Sequence, residues 1–184
     1  MTEPVPVFVC GDPTRGDDGA AVAAAELLAP QVRAQADIVV AGQLDVLFLL
    51  DLPIDRPCVV VDAVAGLPSG EVWVRPLAAL VDRAHRLEAA GRAVEPRSSH
   101  ELPLEQVLAL AAMLREQPPA GTFVGIGGAR WDAGAGLSRE VAASLPALAA
   151  AIAAAIEAAA RQAAVSEPPE APGSRPGRPS SEEP

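Results

Sequence analysis

The chain has 184 residues, with 14 Lys plus Arg against 24 Asp plus Glu, a formal net charge of −10. That balance argues against a nucleic-acid partner, because neutralising phosphates needs a basic face and a local patch would work against the field of the whole molecule. Half of the residues are hydrophobic, 21% are charged and only 3% are aromatic, so the composition is that of one globular domain with an aliphatic core and without aromatic platforms for stacking bases or sugars.

In chain order, Val5 to Cys10 is an apolar run ending at Gly11-Asp12-Pro13, a buried strand followed by a loop. Asp17 to Leu28 is rich in Ala and Leu, starts with acidic residues and stops before Pro30, which predicts a helix whose positive dipole end faces that loop. An extended stretch at Asp37 to Ala41, a helical one at Gln43 to Asp51, and an apolar strand at Pro57 to Val61 ending on Asp62 complete a β-α-β-α-β order. Such alternation implies a mostly parallel sheet covered on both faces, with right-handed crossovers. Gly70 to Arg75 alternates in polarity, as a half-buried edge or antiparallel strand does, and Leu77 to Ala90 reads as helix.

Arg92 to Ser99 contains Pro96 and reads as a loop. Leu104, Val107, Leu108, Ala111 and Leu114 follow the i, i+3, i+4, i+7 spacing of an amphipathic helix. Thr122 to Gly127 is a last short strand, followed by the Gly-rich loop Gly128 to Gly136. Leu137, Val141, Leu145, Leu148, Ile152 and Ile156 form one apolar stripe. Pro146 is expected to divide it into a short turn capped by Ser138 and a longer helix that the proline initiates. The apolar stretch 145–165 carries Glu157, Arg161 and Gln162, which favours a helix of a water-soluble domain over a membrane span. Near residue 165 the chain becomes Pro-rich and loses its large apolar side chains, so the reading is a domain over 1–164 and a disordered tail over 165–184.

Cys10 and Cys58 lie in separate apolar runs and form no Cys-x-x-Cys pair. They read as buried thiols of a cytoplasmic protein, in keeping with an N-terminus that lacks the pattern of a signal peptide. Candidate chemistry sits elsewhere, in three segments: Gly11-Asp12-Pro13-Thr14-Arg15-Gly16-Asp17-Asp18-Gly19 after the first strand, Asp62 at the end of the apolar strand, and Ser98-Ser99-His100-Glu101 ahead of the amphipathic helix. Singly, each reads as a turn or a helix cap. Together, Asp18 and Asp62 lie just past strand ends of a parallel sheet, where ligands bind in the crevice. Two carboxylates and the His100 imidazole make an O, O, N set suited to Ni, Zn or a related divalent ion, with positions left open for a substrate group.

At these same segments the sequence resembles the hydrogenase maturation proteases, endopeptidases that trim the C-terminal extension from the precursor of the large subunit of [NiFe] hydrogenase. The family's strand, Gly-Asn and Asp-Asp/Glu-Gly element corresponds to Val7 to Ala21, with Asp12 where Asn is usual. Its strand ending in Val-Asp-Ala corresponds to Val61-Asp62-Ala63, its Ser/Thr-x-His to Ser98-Ser99-His100, and its Leu-Ser-x-Glu-Val to Leu137 to Val141. The resemblance spans roughly residues 5 to 160 and implies a three-layer α/β/α sandwich around a mostly parallel, twisted sheet of about five strands. It implies further that Asp18, Asp62 and His100 bind nickel carried by the precursor, with Gly11, Asp12, Gly16 and Gly19 contacting the substrate; either the ion polarises the scissile carbonyl or activates water, or a carboxylate, Asp17 or Asp18, acts as general base. Two other functions accommodate the same residues: a metal-dependent hydrolase or phosphorylase of a small substrate, and a non-enzymatic nickel-delivery chaperone.

Overall fold

The computed structural model describes residues 3–91 and 102–166; the expected loop 92–99, His100 and residues 167–184 of the expected tail lie outside the described residues, while residues 165 and 166, expected to begin that tail, close the last helix instead. Five strands form one sheet in the order β2-β1-β3-β5-β4, with β1 Val5–Cys10, β2 Ala36–Gly42, β3 Cys58–Ala65, β4 Val72–Pro76 and β5 Gly121–Gly128. The pairs β1·β2, β1·β3 and β3·β5 are parallel, and β4 runs antiparallel along the outer edge of β5. The fold is thus the α/β class expected.

β1 is buried along its whole length, as a central strand covered on both faces must be. It accommodates Pro6 because Val5 donates to Gln35 on the β2 side, so alternation turns Pro6 toward β3, where pairing begins only at Val7. On one face, α1 Ala20–Glu26, α2 Pro30–Arg33 and the long α6 Arg139–Ser166 pack with Val7, Val9, Val59, Val61 and Val124. On the other, α3 Val46–Leu50, α4 Leu77–Ala89 and α5 Leu104–Arg115 pack with Phe8, Val60 and Phe123. The even and odd positions of β1 and β3 thus feed two separate cores.

Four elements differ from the sequence reading. The helix expected over Asp17 to Leu28 opens as a 3₁₀ turn, Gly16–Gly19, before α1. The helix expected from Gln43 starts only at Val46, because the Asp45 carboxylate caps it by accepting from the Leu47 amide at 2.9 Å. β3 runs past Asp62 to Ala65, held by β5, whose Gly125 to Gly128 pair with Asp62 to Ala65. Pro146 does not divide the C-terminal helix: α6 is continuous through it. The proline is exposed, while Val141, Leu148, Ile152 and Ile156, on either side of it, are fully buried along one stripe. That burial outweighs the roughly 3 kcal/mol an internal proline costs. Ser138 does cap the helix, accepting from the Val141 amide at 3.5 Å.

α6 is the one described helix long and apolar enough to cross a membrane, yet its buried stripe is packed on the sheet. Ile152→Ala empties a fully buried position in this layer and is expected to lower unfolding free energy by about 2–5 kcal/mol. Urea titration checks this as a lower midpoint at unchanged m.

Candidate functional site

The strand order places the site. β1 leads to β2 on one side and β3 lies on the other, so the chain reverses direction across the sheet between β1 and β3. A crevice opens at the carboxyl ends of strands at such a reversal. On the β1 side the ladder to β3 stops at Val9 and Val61, one residue short of Cys10 and Asp62. Asp62 is half-buried and accepts from the Ala63 amide at 2.8 Å.

Asp18 reaches the same place from the loop after β1. Its Oδ2 accepts from the Asp12 amide at 2.9 Å, and it is half-buried. The close fold depends on Gly11, with φ of +111°, where a Cβ would run into the Asp18 carbonyl oxygen. Both carboxylates lie near Cys10: burial drives its thiol well above the ordinary range, and the charges of Asp62 and Asp18 raise it further. Burial likewise pushes the Cys58 thiol up to about 12. Both cysteines are therefore protonated at neutral pH and unsuited as nucleophiles.

The other residues of the first loop have structural work. Asp12 Oδ1 accepts from the Thr14 amide at 2.8 Å and the Thr14 hydroxyl at 2.7 Å, bonds that hold its carboxyl below the usual range. Gly19 ends the turn against Pro13. Gly16 has φ of +60°, and a Cβ on it would come within 2.6 Å of the Arg130 carbonyl oxygen.

Asp17 differs from its neighbour. It is wholly buried and points away from solvent into the loop between β5 and α6, where Oδ2 accepts from the amides of Ala129 at 2.8 Å and Arg130 at 2.9 Å, and Oδ1 from Ser138 at 2.6 Å. Burial alone raises a carboxyl pKa, but these amides and the Ser138 hydroxyl outweigh it in sum, so the Asp17 value is lowered. A carboxylate held charged and closed to water is poorly suited to serve as a general base. The sequence reading named this stretch as a Gly-rich loop and, from Leu137 to Val141, as part of the resemblance, but gave it no role in the site.

The structure therefore brings Asp18 and Asp62 together, assigns Asp17 to the neighbouring loop, and leaves His100 outside the described residues. Among the described residues no three His, Cys, Asp or Glu side chains group as a metal site. Among the described residues, surface hollows of about 460 and 280 Å³ lie elsewhere, the larger around Gly121 at the opposite end of β5 and the smaller around Phe8, Val39 and Phe48.

No family model matches the sequence, and no curated protein does. Solved structures share the fold. The [NiFe] hydrogenase maturation protease HybD from Thermococcus kodakarensis aligns at 22% identity over 81% of this chain and 96% of its own, with a TM-score of 0.57. For the hydrogenase maturating endopeptidase HybD from E. coli the figures are 18%, 84%, 93% and 0.60. For the maturation protease HycI from T. kodakarensis they are 19%, 84%, 92% and 0.54. At these identities the likeness establishes a common architecture.

The lowered Asp17 pKa has a stability consequence. Its contribution is complete above the unfolded value of about 3.9 and is lost as pH falls through the lower folded value. Urea midpoints measured from pH 6 to pH 2 are expected to fall more steeply for the wild type than for Asp17→Asn, which has no carboxyl to protonate.

Proposed function

We propose that the chain is an endopeptidase that removes the C-terminal extension from the large-subunit precursor of a [NiFe] hydrogenase once nickel has been inserted. The observation that carries this reading is the convergence of Asp18 and Asp62 at the strand-order reversal of a fold shared with solved maturation proteases. His100 completes the set in this reading. Leu102, two residues further on, accepts a hydrogen bond from Gln43 at 3.0 Å. Gln43 directly follows Gly42, whose carbonyl bonds the Gly11 amide at 2.6 Å. Leu102 is thereby tied to the rim on which Gly11 and Asp18 lie.

In this reading nickel is part of the substrate. Held in the precursor with open coordination positions, it offers a handle to two carboxylate oxygens and one imidazole nitrogen, donors that also suit Zn. A precursor without the ion presents nothing for two neighbouring carboxylates to bind, so cleavage follows insertion. Asp18, half-exposed at the crevice, is the carboxylate placed to take a proton from an attacking water. The two protonated thiols are suited to a reducing cytoplasm and leave hydrolysis to water.

The test incubates nickel-loaded precursor with wild type, Asp62→Asn and His100→Ala and follows the released C-terminal peptide by mass spectrometry. Release by the wild type, reduced at least about 100-fold in both variants, is expected, since removal of a ligand or its support costs 10- to 100-fold or more. Unchanged release by His100→Ala overturns the site assignment. Tight nickel binding by the chain alone, with no peptide released, replaces the reading with metal delivery.

A further inference from the structure

Asp17 is a fully buried charged group that the proposed chemistry does not use. Its carboxylate accepts from a segment more than 110 residues away in sequence: the amides of Ala129, Arg130 and Ser138. The traffic is reciprocal. The Asp17 amide donates to the Arg130 carbonyl at 2.8 Å, the Gly16 amide to Ala135 at 3.0 Å, and the Gly134 amide to Thr14 at 2.7 Å. Six hydrogen bonds from backbone amides thus join the two loops. The Ser138 amide belongs to the residue capping α6, so the carboxylate also meets the positive dipole end of a 28-residue helix.

We infer that Asp17 is a positioning residue that fixes loop 129–138 as the second wall of the substrate crevice and locks it to the turn bearing Asp18, so that both meet the precursor as one unit. The inference rests on the reading of Asp18 as the substrate-facing carboxylate. Its physical basis is that Asp17 and Asp18 are consecutive, so any displacement of the loop is passed through one peptide unit to Asp18. Arg130, exposed on this loop, lies over Gly16, with its Cγ 3.3 Å from where a Gly16 Cβ would stand. The wall therefore begins directly beside the first loop. Side-chain length matters because all three amides lie 2.6–2.9 Å from the Asp17 carboxylate oxygens, and an extra methylene at this fully buried position would displace the carboxylate from them. A glutamate supplies the same charge to a metal or a proton but does not fit this clamp.

Hydrogen exchange on the full chain reads the clamp directly. In Asp17→Asn, protection of the Ala129, Arg130 and Ser138 amides is expected to fall about 10- to 100-fold, the equivalent of a hydrogen bond to a charged group, while β1, β3 and β5 keep theirs. On nickel-loaded precursor, kcat/KM is expected to fall roughly 100-fold, with KM rising, and Asp17→Glu is expected not to restore it. Unchanged protection of the three amides, or recovery of cleavage by Asp17→Glu, overturns the inference. If Asp17→Asn does not fold, Ala129→Pro deletes one donor from the exposed loop and is read at Arg130 and Ser138. Absence of any cleavage by the wild type counts against the endopeptidase reading, while the exchange pattern still decides the clamp.

Discussion

The handedness of the crossover connections is the constraint from which the site follows. A strand, helix and parallel strand connect with right-handed sense. β1 reaches β2 on one side through α1 and α2, and the chain returns past β1 to β3 through α3. Opposite directions across the sheet with the same hand place these helices on opposite faces, as the two cores show. Between β1 and β3 neither crossover covers the strand ends. Cys10 and Asp62, one residue beyond the last positions paired between β1 and β3, are left at this opening.

A second interaction turns the opening into a built site. Charged carboxylates are seldom buried without partners, because the loss of hydration must be matched by hydrogen bonds. Asp17 meets that requirement with three amide donors from one distant segment, and no buried side-chain polar atom among the described residues lacks a partner. Two acidic neighbours in sequence thereby serve opposite ends: Asp17 faces inward and holds loop to loop, while Asp18 stays half-exposed at the crevice. The glycines at 11 and 16 make the turn between them possible, one by its approach to Asp18 and the other by its approach to Arg130.

Much of this was legible in the sequence where one strong physical signal acted alone. β1 matched its expected bounds because an unbroken apolar run between Pro4 and Gly11 permits little else. The periodicity of α5 and the alternation of β4 were similarly direct. Legibility failed where signals competed. Asp62 looked like a strand terminus because a carboxylate interrupts the apolar run, but pairing with Gly125 to Gly128 of β5 carries the strand three residues past it, to Ala65. Pro146 looked like a helix break, but the buried stripe on both sides of it was worth more than one lost hydrogen bond.

The sequence by itself determined the alternating α/β order, the aliphatic core, and acidic residues after two strands, the Asp17-Asp18 pair and Asp62, since these depend on local pattern and residue type. Only the tertiary structure decided which member of the Asp17-Asp18 pair faces the crevice. Both are acids at the start of a helical turn, and nothing local distinguishes them. The distinction comes from the amides of Ala129, Arg130 and Ser138, which are brought to Asp17 only when β5 takes its place beside β3.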